Sequence, residues 1–412
     1  GGMGRVYKAK DTHLHRHVAI KVPVLARVEG EGALDIVIRD RHIETLKLSI
    51  YEPPRLFEKF LEGRHYSDVP DMVARICGIC PVAYQMSAAR ALEHAFALDP
   101  GDWVHAMRRV FYCGEWLQSH ALHVHLLAAP DFLGFDSVVG MAEEHPQAVR
   151  RGLRLQGLGN ELIRLLGGRS VHPVGARVGG FFRAPTQAEV DAMLAQLRAA
   201  LPEAEELVAW AAALPMPVDR QDFVNVALRH ATDYPLAEGR IVSDSGLDIA
   251  VEEVEQHFVE EHRPQSTALF ATLHGKPYLV GPLARLNLNH DRLPASSRAL
   301  LEQSGIRFPS DNMFHSLFAR ALEIHIAIVE AIRLLDGYQL PERAHVECEP
   351  RAGVGFGATE APRGVLIHDY GVDENGIVTS ANLVVATQQN MSAINDTIAY
   401  CCEDLCSSGA DK

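Results

Sequence analysis

Long segments of this chain repeat apolar residues at the spacing of an amphipathic helix. There are four of them: Trp103 to Leu127, Gln147 to Leu166, Thr186 to Leu214 and Asn312 to Leu335. Thr186 and Glu189 add a capping-box pattern at the start of the third segment. Each such helix must bury its apolar face against another element, so several of them require a shared core. We therefore expect a predominantly helical body.

Short runs with period-two alternation indicate strands near both ends of the chain. Segments 34–38 and 43–50 flank the polar residues 39–42, which predicts a hairpin. Strand signals return only between Gly364 and Thr387, around the turn residues 373–376. The predicted fold class is α+β, mostly helical with small β elements near both ends. No internal repeat or low-complexity linker is visible, which favours one compact body.

Composition and charge exclude several classes of function. The 412 residues are 47% hydrophobic and 22% charged, as in ordinary soluble proteins, and the formal net charge is −14. This acidic balance leaves no basic surplus for phosphate groups, so neither nucleic acid nor a membrane is an expected partner. The chain has no signal-peptide pattern and no uncharged apolar run of about 18 residues. These features predict a cytoplasmic protein.

The opening residues carry a pattern that nothing downstream continues. Gly2-Met3-Gly4 and Val18-Ala19-Ile20-Lys21 resemble the glycine-rich loop and third-strand lysine of bacterial-type Ser/Thr kinases. Phosphoryl transfer also needs a catalytic base and metal-holding carboxylates, and no such motifs follow. We interpret residues 1–22 as a foreign kinase-like fragment that forms a stray hairpin or a tail.

The sequence RICGIC, residues 75–80, places Cys77 and Cys80 in a predicted turn between helices. Thiolates at this spacing converge on one ion because they fit neighbouring corners of one coordination sphere. Seven cysteines in a chain of 412 residues are not a disulfide scaffold. By itself the pair fits half of a zinc site, a redox dithiol, a soft transition-metal site or two small buried cysteines.

Several further motifs, in order, resemble the large subunit of nickel-iron hydrogenases. They are RVEG from Arg27, EPPRLFE from Glu52, RICGIC, SHALHVHLLAAPDFLG from Ser119, GGRSVHPVGARVGGF from Gly167, EAPRGVLIHDY from Glu360 and ATQQN from Ala386. The chain is most similar to the cytoplasmic, cofactor-coupled branch of that family. The resemblance implies a hydrogenase large-subunit domain over residues 23–394, and it leaves residues 395–412 as an unmatched tail.

The resemblance also implies a nickel-iron centre whose iron carries diatomic ligands. Cys77 corresponds to a terminal nickel ligand, and Cys80 corresponds to a thiolate that bridges nickel and iron. Glu29 corresponds to a carboxylate that relays protons from a nickel thiolate. Arg363 corresponds to the arginine above the diatomic ligands, and Glu58 to a ligand of a magnesium or iron site.

Simpler interpretations exist for most of these residues. Glu29 and Glu58 also fit solvent-facing positions, and Arg363 also fits an ion pair with Glu360 or Asp369. The histidines of SHALHVH fit core residues better than metal ligands. The glycines of segment 353–357 form only a weak dinucleotide-like string, without a strand-turn-helix context.

The implied activity is reversible, heterolytic splitting of dihydrogen, in which a terminal thiolate takes the proton and Glu29 relays it. The chain has no further cysteine clusters for iron-sulfur centres. Electrons are therefore expected to leave through an iron-sulfur small subunit and then a flavin or diaphorase module. Docking that partner implies that the chain alone exposes apolar surface.

Two departures from the family pattern bear on activity. Tyr84 stands where the family has a histidine. The family's second CxxC, within DPCxxCxxH, is missing, and Cys401, Cys402 and Cys406 do not match it, so they receive no ligand role. We expect a catalytic subunit made incomplete by truncation, frameshift or gene fusion. The alternative is a non-catalytic hydrogenase-like scaffold subunit whose CxxC is vestigial or binds zinc.

Overall fold

A computed structural model describes residues 18–25, 30–39, 42–51 and 56–407. The chain divides into two compact units. Unit 1 comprises Gly1–Arg55, Glu255–Leu279 and Thr387–Lys412, and unit 2 comprises Leu56–Val254 and Val280–Ala386. No linker composition marks this division in the sequence, because unit 1 is assembled from three separate stretches of chain.

Within the described residues there are twelve α-helices and fourteen strands. The helices are α1 (Phe57–Leu61), α2 (Val69–Val73), α3 (Pro81–Phe96), α4 (Asp102–Leu122), α5 (Ala129–Leu133), α6 (Val138–Glu144), α7 (Pro146–Gly167), α8 (Gln187–Ala212), α9 (Pro282–Asn289), α10 (Ala295–Ser304), α11 (His315–Asp336) and α12 (Ala386–Ser407). The strands are β1 (Val18–Val22), β2 (Gly32–Arg39), β3 (His42–Ile50), β4 (Ala176–Arg177), β5 (Gly180–Phe181), β6 (Val224–Arg229), β7 (Arg240–Ser243), β8 (Asp248–Ile249), β9 (Phe258–Glu261), β10 (Phe270–Leu273), β11 (Tyr278–Leu279), β12 (Gly353–Ala361), β13 (Gly364–Val372) and β14 (Val378–Val384).

Unit 1 contains an antiparallel sheet in the order β1-β2-β3 and the antiparallel pair β9-β10. The β2-β3 hairpin confirms the hairpin predicted from alternation, with Arg39 opposite His42 at its turn. Leu48, Phe270 and Met391 form a small apolar core in this unit. Unit 1 is therefore held together by contacts between segments that are far apart in the sequence.

The kinase-like residues 18–21 belong to β1, at the edge of the three-stranded sheet. Lys21 lies opposite Asp35 of β2, and its Nζ is 3.9 Å from Asp35 Oδ1. The two side chains are 77% and 45% exposed, and such surface pairs contribute at most about 1 kcal/mol. A charge on an edge strand is an ordinary protection against strand pairing between molecules. Residues 1–17 lie outside the described residues, so the foreign origin of 1–22 stays a prediction.

Unit 2 is mainly helical, and its core lies between α3, α4, α7, α8 and α11. The last four of these helices confirm the four long helical segments predicted from periodicity. Thr186 and Glu189 form the expected capping box at the start of α8. The α+β class with a helical majority is confirmed. Among the described residues no single helix is long and apolar enough to cross a membrane, and only the bent pair Asp102–Leu133 and Val138–Glu144 passes that test jointly.

Strands in the middle of the chain were not predicted. β6, β7 and β8 form consecutive antiparallel pairs, and β4 pairs with β5. The expectation that strand signals return only after Gly364 was therefore wrong. These strands have two to six residues, and so few alternating positions do not separate a strand from a turn.

Strand β12 packs on α3 through glycines. A Cβ added at Gly355 would lie 1.9 Å from the carbonyl oxygen of Ala91, and one at Gly357 would lie 2.4 Å from that of Ser87. Both distances are far below van der Waals contact, so the backbone of β12 approaches the helix only because these side chains are absent. The glycine string of segment 353–357 is thus a helix-packing feature.

Alanine at Gly355 should lower the free energy of unfolding by about 3 kcal/mol, because the new methyl group forces the strand away from the helix backbone. Urea denaturation followed by circular dichroism measures this loss. Gly157→Ala in α7 is the matched control, since a Cβ there meets no atom within 4 Å, and it should stabilise by up to about 1 kcal/mol. Equal unfolding midpoints for the two variants would contradict the packing role of Gly355.

Candidate metal centre

Cys77 and Cys80 occupy the turn between α2 and α3, as the sequence predicted. Helix α2 ends at Val73, and α3 begins at Pro81 with Cys80 at its N-cap position. Proline suits the first helical position because it has no N–H to satisfy. The two cysteines are half-buried, their Cα atoms are 5.5 Å apart and their sulfur atoms are paired as a disulfide. The metal-binding form of this pair is the reduced and deprotonated one.

Glu115 of α4 caps the N-terminus of α3. Its carboxylate accepts hydrogen bonds from the amide of Val82 at 2.6 Å and from that of Ala83 at 3.1 Å. The side chain is fully buried. No local sequence pattern marks this residue, because its partners belong to another helix. Its signal is a charged residue on the core face of an amphipathic helix, where unpaired carboxylates are rare.

Burial raises the pKa of Glu115 to about 8. The amides of Val82 and Ala83 and the guanidinium of Arg363 act in the opposite direction, and burial outweighs them. A carboxyl group with such a pKa gains and loses a proton near neutral pH. Perturbed carboxyl groups of this kind cluster at functional sites, which singles out this end of α3.

Arg363 lies in the turn between β12 and β13, and it reaches the same part of α4. Its Nη1 atom donates a hydrogen bond to Ser119 Oγ at 3.4 Å. Ser119 is one helical turn beyond Glu115. Glu360, one of the two carboxylates considered as a partner of Arg363, instead accepts hydrogen bonds from Arg285 at 2.5 Å and from the amide of Leu228 at 2.6 Å.

A buried ionic network lies directly beneath the turn that carries Arg363. Arg285 has no exposed surface, and it donates to Glu323 at 2.7 and 2.8 Å and to Glu360 at 2.5 Å. It also donates to the carbonyl of Ala361 at 3.0 Å, and its guanidinium lies 4.3 Å from the ring centre of Trp116. This network fixes the backbone immediately before Arg363. Its members come from α4, α9, α11 and β12.

The histidines of the SHALHVH segment are buried. His120 contacts Glu323 at 2.9 Å, and His125 stacks on Trp210 with ring centres 5.8 Å apart. Burial lowers the pKa of both imidazoles to about 4. From His123 the helix continues as a π-helix to Ala128, a feature that often marks functional regions. The imidazoles of His120 and His125 are therefore neutral at pH 7.

Acidification should destabilise unit 2 because it contains buried neutral histidines. Burial lowers the pKa of His325 to about 4 and that of His368 to about 3, below the ordinary value of 6.5. Each contribution is complete above pH 6.5 and is lost as the pH falls toward the folded-state pKa, because the unfolded chain takes up the proton first. Each histidine should cost about 1–2 kcal/mol between pH 7 and pH 5.

Urea midpoints measured at the two pH values test this expectation. His325→Gln should reduce the pH dependence, since it removes one titrating group while it keeps a hydrogen-bonding partner for Ser297, which lies 2.9 Å from His325 Nδ1. Midpoints that stay constant from pH 7 to pH 5 would contradict the burial of neutral imidazoles.

Tyr84 is buried on α3 beside an imidazole from another element. Its ring centre lies 5.7 Å from that of His368 on β13. His368 Nδ1 and the hydroxyl of Tyr370 are 2.9 Å apart, and His368 Nε2 has no hydrogen-bond partner among the described residues. The surroundings of position 84 therefore contain a histidine, although it does not come from α3.

The remaining predicted site residues lie apart from the cysteine turn or outside the described residues. Glu58 on α1 is exposed, and it accepts a hydrogen bond from the amide of Leu383 at 3.0 Å. This bond joins α1 to the end of β14. Glu29 and the side chain of Cys406 lie outside the described residues. The structure thus places Cys77, Cys80 and Arg363 around one end of α3 and α4, together with Glu115 and Ser119.

The donor chemistry of the cysteine turn fits a soft transition metal in part. Two thiolates suit nickel, iron or zinc, and they fill two coordination positions. The described residues contain no group of three or more His, Cys, Asp or Glu side chains placed to hold a metal ion. Among the described residues, the cysteine turn therefore offers one thiolate pair, with no third donor grouped beside it.

Comparisons with known proteins place the chain in a family. The sequence model of the nickel-dependent hydrogenase family matches residues 55–153, which include the cysteine turn, Glu115 and Ser119. The alpha subunit of sulfhydrogenase 1 from Pyrococcus furiosus is 32% identical over 94% of this chain and 91% of its own length. The beta subunit of the NAD-reducing hydrogenase HoxS from Cupriavidus necator is 29% identical over 92% of this chain and 87% of its own length.

A solved structure gives the same result. The crystal structure of an NAD⁺-reducing [NiFe]-hydrogenase in the H₂-reduced state superimposes with a TM-score of 0.82 and 30% identity, over 95% of this chain and 93% of that one. The shared fold and the cysteine turn thus define a hydrogenase large subunit. The chain belongs to the nickel-dependent hydrogenase family.

Proposed function

We propose that this chain is the catalytic large subunit of a nickel-iron hydrogenase and that Cys77 and Cys80 are its ligands to the metal pair. The observation that carries the proposal is the convergence of the cysteine turn, Glu115 and the Arg363–Ser119 pair around the start of α3. A nickel-iron centre, when bound, would supply the site of heterolytic dihydrogen splitting. Thiolate donors suit both metals, which supports this ligand assignment.

The surrounding residues have roles that follow from their chemistry. Arg363 presents a planar, permanently charged donor group that suits small anionic ligands such as cyanide. Glu115 takes up and releases protons near neutral pH because of its raised pKa. We assign the outward proton relay to Glu29 and a magnesium-binding role to Glu58, both on the resemblance of their motifs. We also assign the large-subunit domain to residues 23–394 and the cytoplasm as its location.

Apolar side chains beside the cysteine turn support an iron-sulfur small subunit as partner. The segment 168–182, which includes β4 and β5, exposes Val171, Val174 and Phe182 by 51%, 44% and 64%. His172 lies within this segment, and its Nδ1 is 2.6 Å from the carbonyl oxygen of Ala74, just after α2. Electrons would leave the metal centre through this side of unit 2. We also propose a flavin or diaphorase module as a partner, and the likeness to NAD-reducing hydrogenases supports it.

A second candidate function is that of a hydrogenase-like scaffold subunit whose cysteine pair binds zinc. Tyr84 in place of the family's histidine favours it. The lack of a third metal donor among the described residues favours it as well. In this case the chain would retain the fold and the partner surface without splitting dihydrogen.

Elemental analysis separates the two candidates. The chain is produced together with an iron-sulfur small subunit under anaerobic conditions, and metals are measured per protein chain after removal of loosely bound ions. Nickel above the level of a Cys77→Ala,Cys80→Ala control supports the catalytic subunit. Zinc in place of nickel, lost in the same control, supports the scaffold, and metal levels equal to the control would contradict both.

A further inference from the structure

We propose that Glu115 is a positioning residue for Cys80: it caps α3 from the neighbouring helix and so leaves the Cys80 sulfur free to bind metal. This inference rests on the proposed function only in taking the cysteine turn as a metal site. It assigns a role to a residue that the sequence motifs do not mark.

The need for a cap follows from the geometry of helix ends. The first amides of a helix have no carbonyl partner within it, and the N-cap side chain ordinarily accepts hydrogen bonds from the second or third of them. In α3 the first residue, Pro81, has no amide hydrogen, so the open donors begin at Val82 and Ala83. Cys80 occupies the N-cap position and makes no side-chain cap.

Glu115 meets this need with both carboxylate oxygens. One oxygen lies 2.6 Å from the Val82 nitrogen, and the other lies 3.1 Å from the Ala83 nitrogen. A thiol is a weak acceptor, and a sulfur bound to a metal has less capacity left for an amide. The capping task and the ligand task are therefore divided between two residues. The start of α3, and with it the backbone of Cys80, is fixed without use of the sulfur.

The part of α4 that carries Glu115 packs closely against α7. A Cβ on Gly114 would lie 2.9 Å from Ile163 Cγ1, and one on Gly159 would lie 2.4 Å from the amide nitrogen of Gln118. Helices α4 and α7 thus approach closely on both sides of Glu115. Because protein interiors pack at crystal-like density, these contacts limit movement of the Glu115 carboxylate. They therefore also limit movement of the α3 amides that it binds.

Two positive groups act on the carboxyl group of Glu115. Arg363 acts on Glu115 electrostatically, and the N-terminus of α3 carries its own partial positive charge. An amide at this position would keep the shape and offer one acceptor oxygen to the two amides, where the carboxyl group offers two.

The test uses the reduced 412-residue chain with its small subunit and Co²⁺ as the probe, because cobalt-thiolate binding is visible by absorption and does not depend on the nickel-iron assignment. Glu115→Gln should weaken Co²⁺ binding at the cysteine turn about tenfold, the size expected for loss of a group that orients a ligand. Glu115→Asp keeps two carboxylate oxygens, and it should recover part of the loss.

Glu330→Gln is the matched control. It also removes a buried carboxylate, which Arg109 and Arg333 contact at 2.8 Å from α4 and α11, and it should leave Co²⁺ affinity within twofold of the original. Thermal unfolding of all variants shows whether affinity simply follows stability. Equal losses for Glu115→Gln and Glu330→Gln, or an unchanged affinity for Glu115→Gln, would overturn the proposal. If Glu115→Gln fails to fold, the comparison of Glu115→Asp with Glu330→Gln decides in the same way.

The outcome is separable from that of the proposed function. A chain that binds zinc and no nickel would contradict the catalytic assignment, while the dependence of Co²⁺ affinity on Glu115 would stand. If the chain binds nickel and substitutions at Glu115 leave metal affinity unchanged, the catalytic assignment would stand. The positioning role of Glu115 would then be contradicted.

Discussion

Replacing Cys80 with alanine in the chain produced with its small subunit should lower bound nickel to below about a tenth of the original level, with loss of dihydrogen oxidation. The reason is that the described residues offer no third donor to replace a missing thiolate. Loss of one of the two sulfurs leaves a single soft ligand at the turn. Metal analysis and a dye-reduction assay with dihydrogen measure the two effects.

Cys113→Ala provides the control for this substitution. Cys113 is buried within α4, and burial raises the pKa of its thiol, so it does not form a thiolate at neutral pH. Its replacement should leave nickel content unchanged. Retention of nickel in Cys80→Ala, or equal losses in both variants, would remove Cys80 from the ligand set.

Replacing Arg285 with methionine should lower the free energy of unfolding by about 3–5 kcal/mol, which is the largest effect on stability that we expect from a single substitution. Arg285, Glu323 and Glu360 are all fully buried, and the arginine is the cationic partner of both carboxyl groups. Without it, the two carboxyl groups lose their shared guanidinium in the core, where a charge without an ionic partner is strongly disfavoured. Urea denaturation followed by tryptophan fluorescence measures the loss, because Trp116 lies against the guanidinium.

Arg229→Met is the comparison for that measurement. Arg229 pairs with Asp291 at 2.7 Å, and the two side chains are 31% and 47% exposed. Its loss should cost about 1 kcal/mol or less, because solvent screens such pairs. A triple variant that replaces Arg285, Glu323 and Glu360 with Met, Gln and Gln should recover part of the loss, since the burial cost of the carboxylates disappears. Similar effects for the two single arginine variants would contradict the charge-burial argument.

Periodicity in the sequence was enough to predict the elements whose apolar residues repeat regularly within one segment. The amphipathic helices α4, α7, α8 and α11 repeat their apolar residues over many turns, and the β2-β3 hairpin alternates over its whole length. The turn with Cys77 and Cys80 follows from Pro81 at a helix start. These elements carry their own signals because each buries one regular face.

Other features depend on contacts between distant segments, and no local pattern indicates them. Glu115 caps amides that lie 33 and 32 residues earlier in the chain. Arg285 joins carboxylates from α11 and β12. Gly355 allows β12 to approach α3, a helix that lies much earlier in the sequence. Physical reasoning from sequence identifies such residues only as buried charges or unexplained glycines, and their partners become known from the fold.

The ligand roles of the site residues depended on motif resemblance in addition to chemistry. Two cysteines at CxxC spacing do not choose between zinc and nickel, because both metals accept thiolates. Arg363 also fitted an ion pair with Glu360. In the structure Glu360 accepts a hydrogen bond from Arg285. The geometry adds Glu115 and Ser119, and it places them with Cys80 and Arg363 around the N-terminus of one helix.

Infrared spectroscopy of the anaerobically purified complex tests the central claim most directly, since iron-bound diatomic ligands such as cyanide absorb where proteins do not. We predict these bands in the original protein, their loss in Cys80→Ala and a shift of the cyanide bands in Arg363→Lys, because lysine lacks the planar donor group. A complex that contains zinc at the cysteine turn and shows none of these bands would contradict the claim that Cys77 and Cys80 hold a nickel-iron centre.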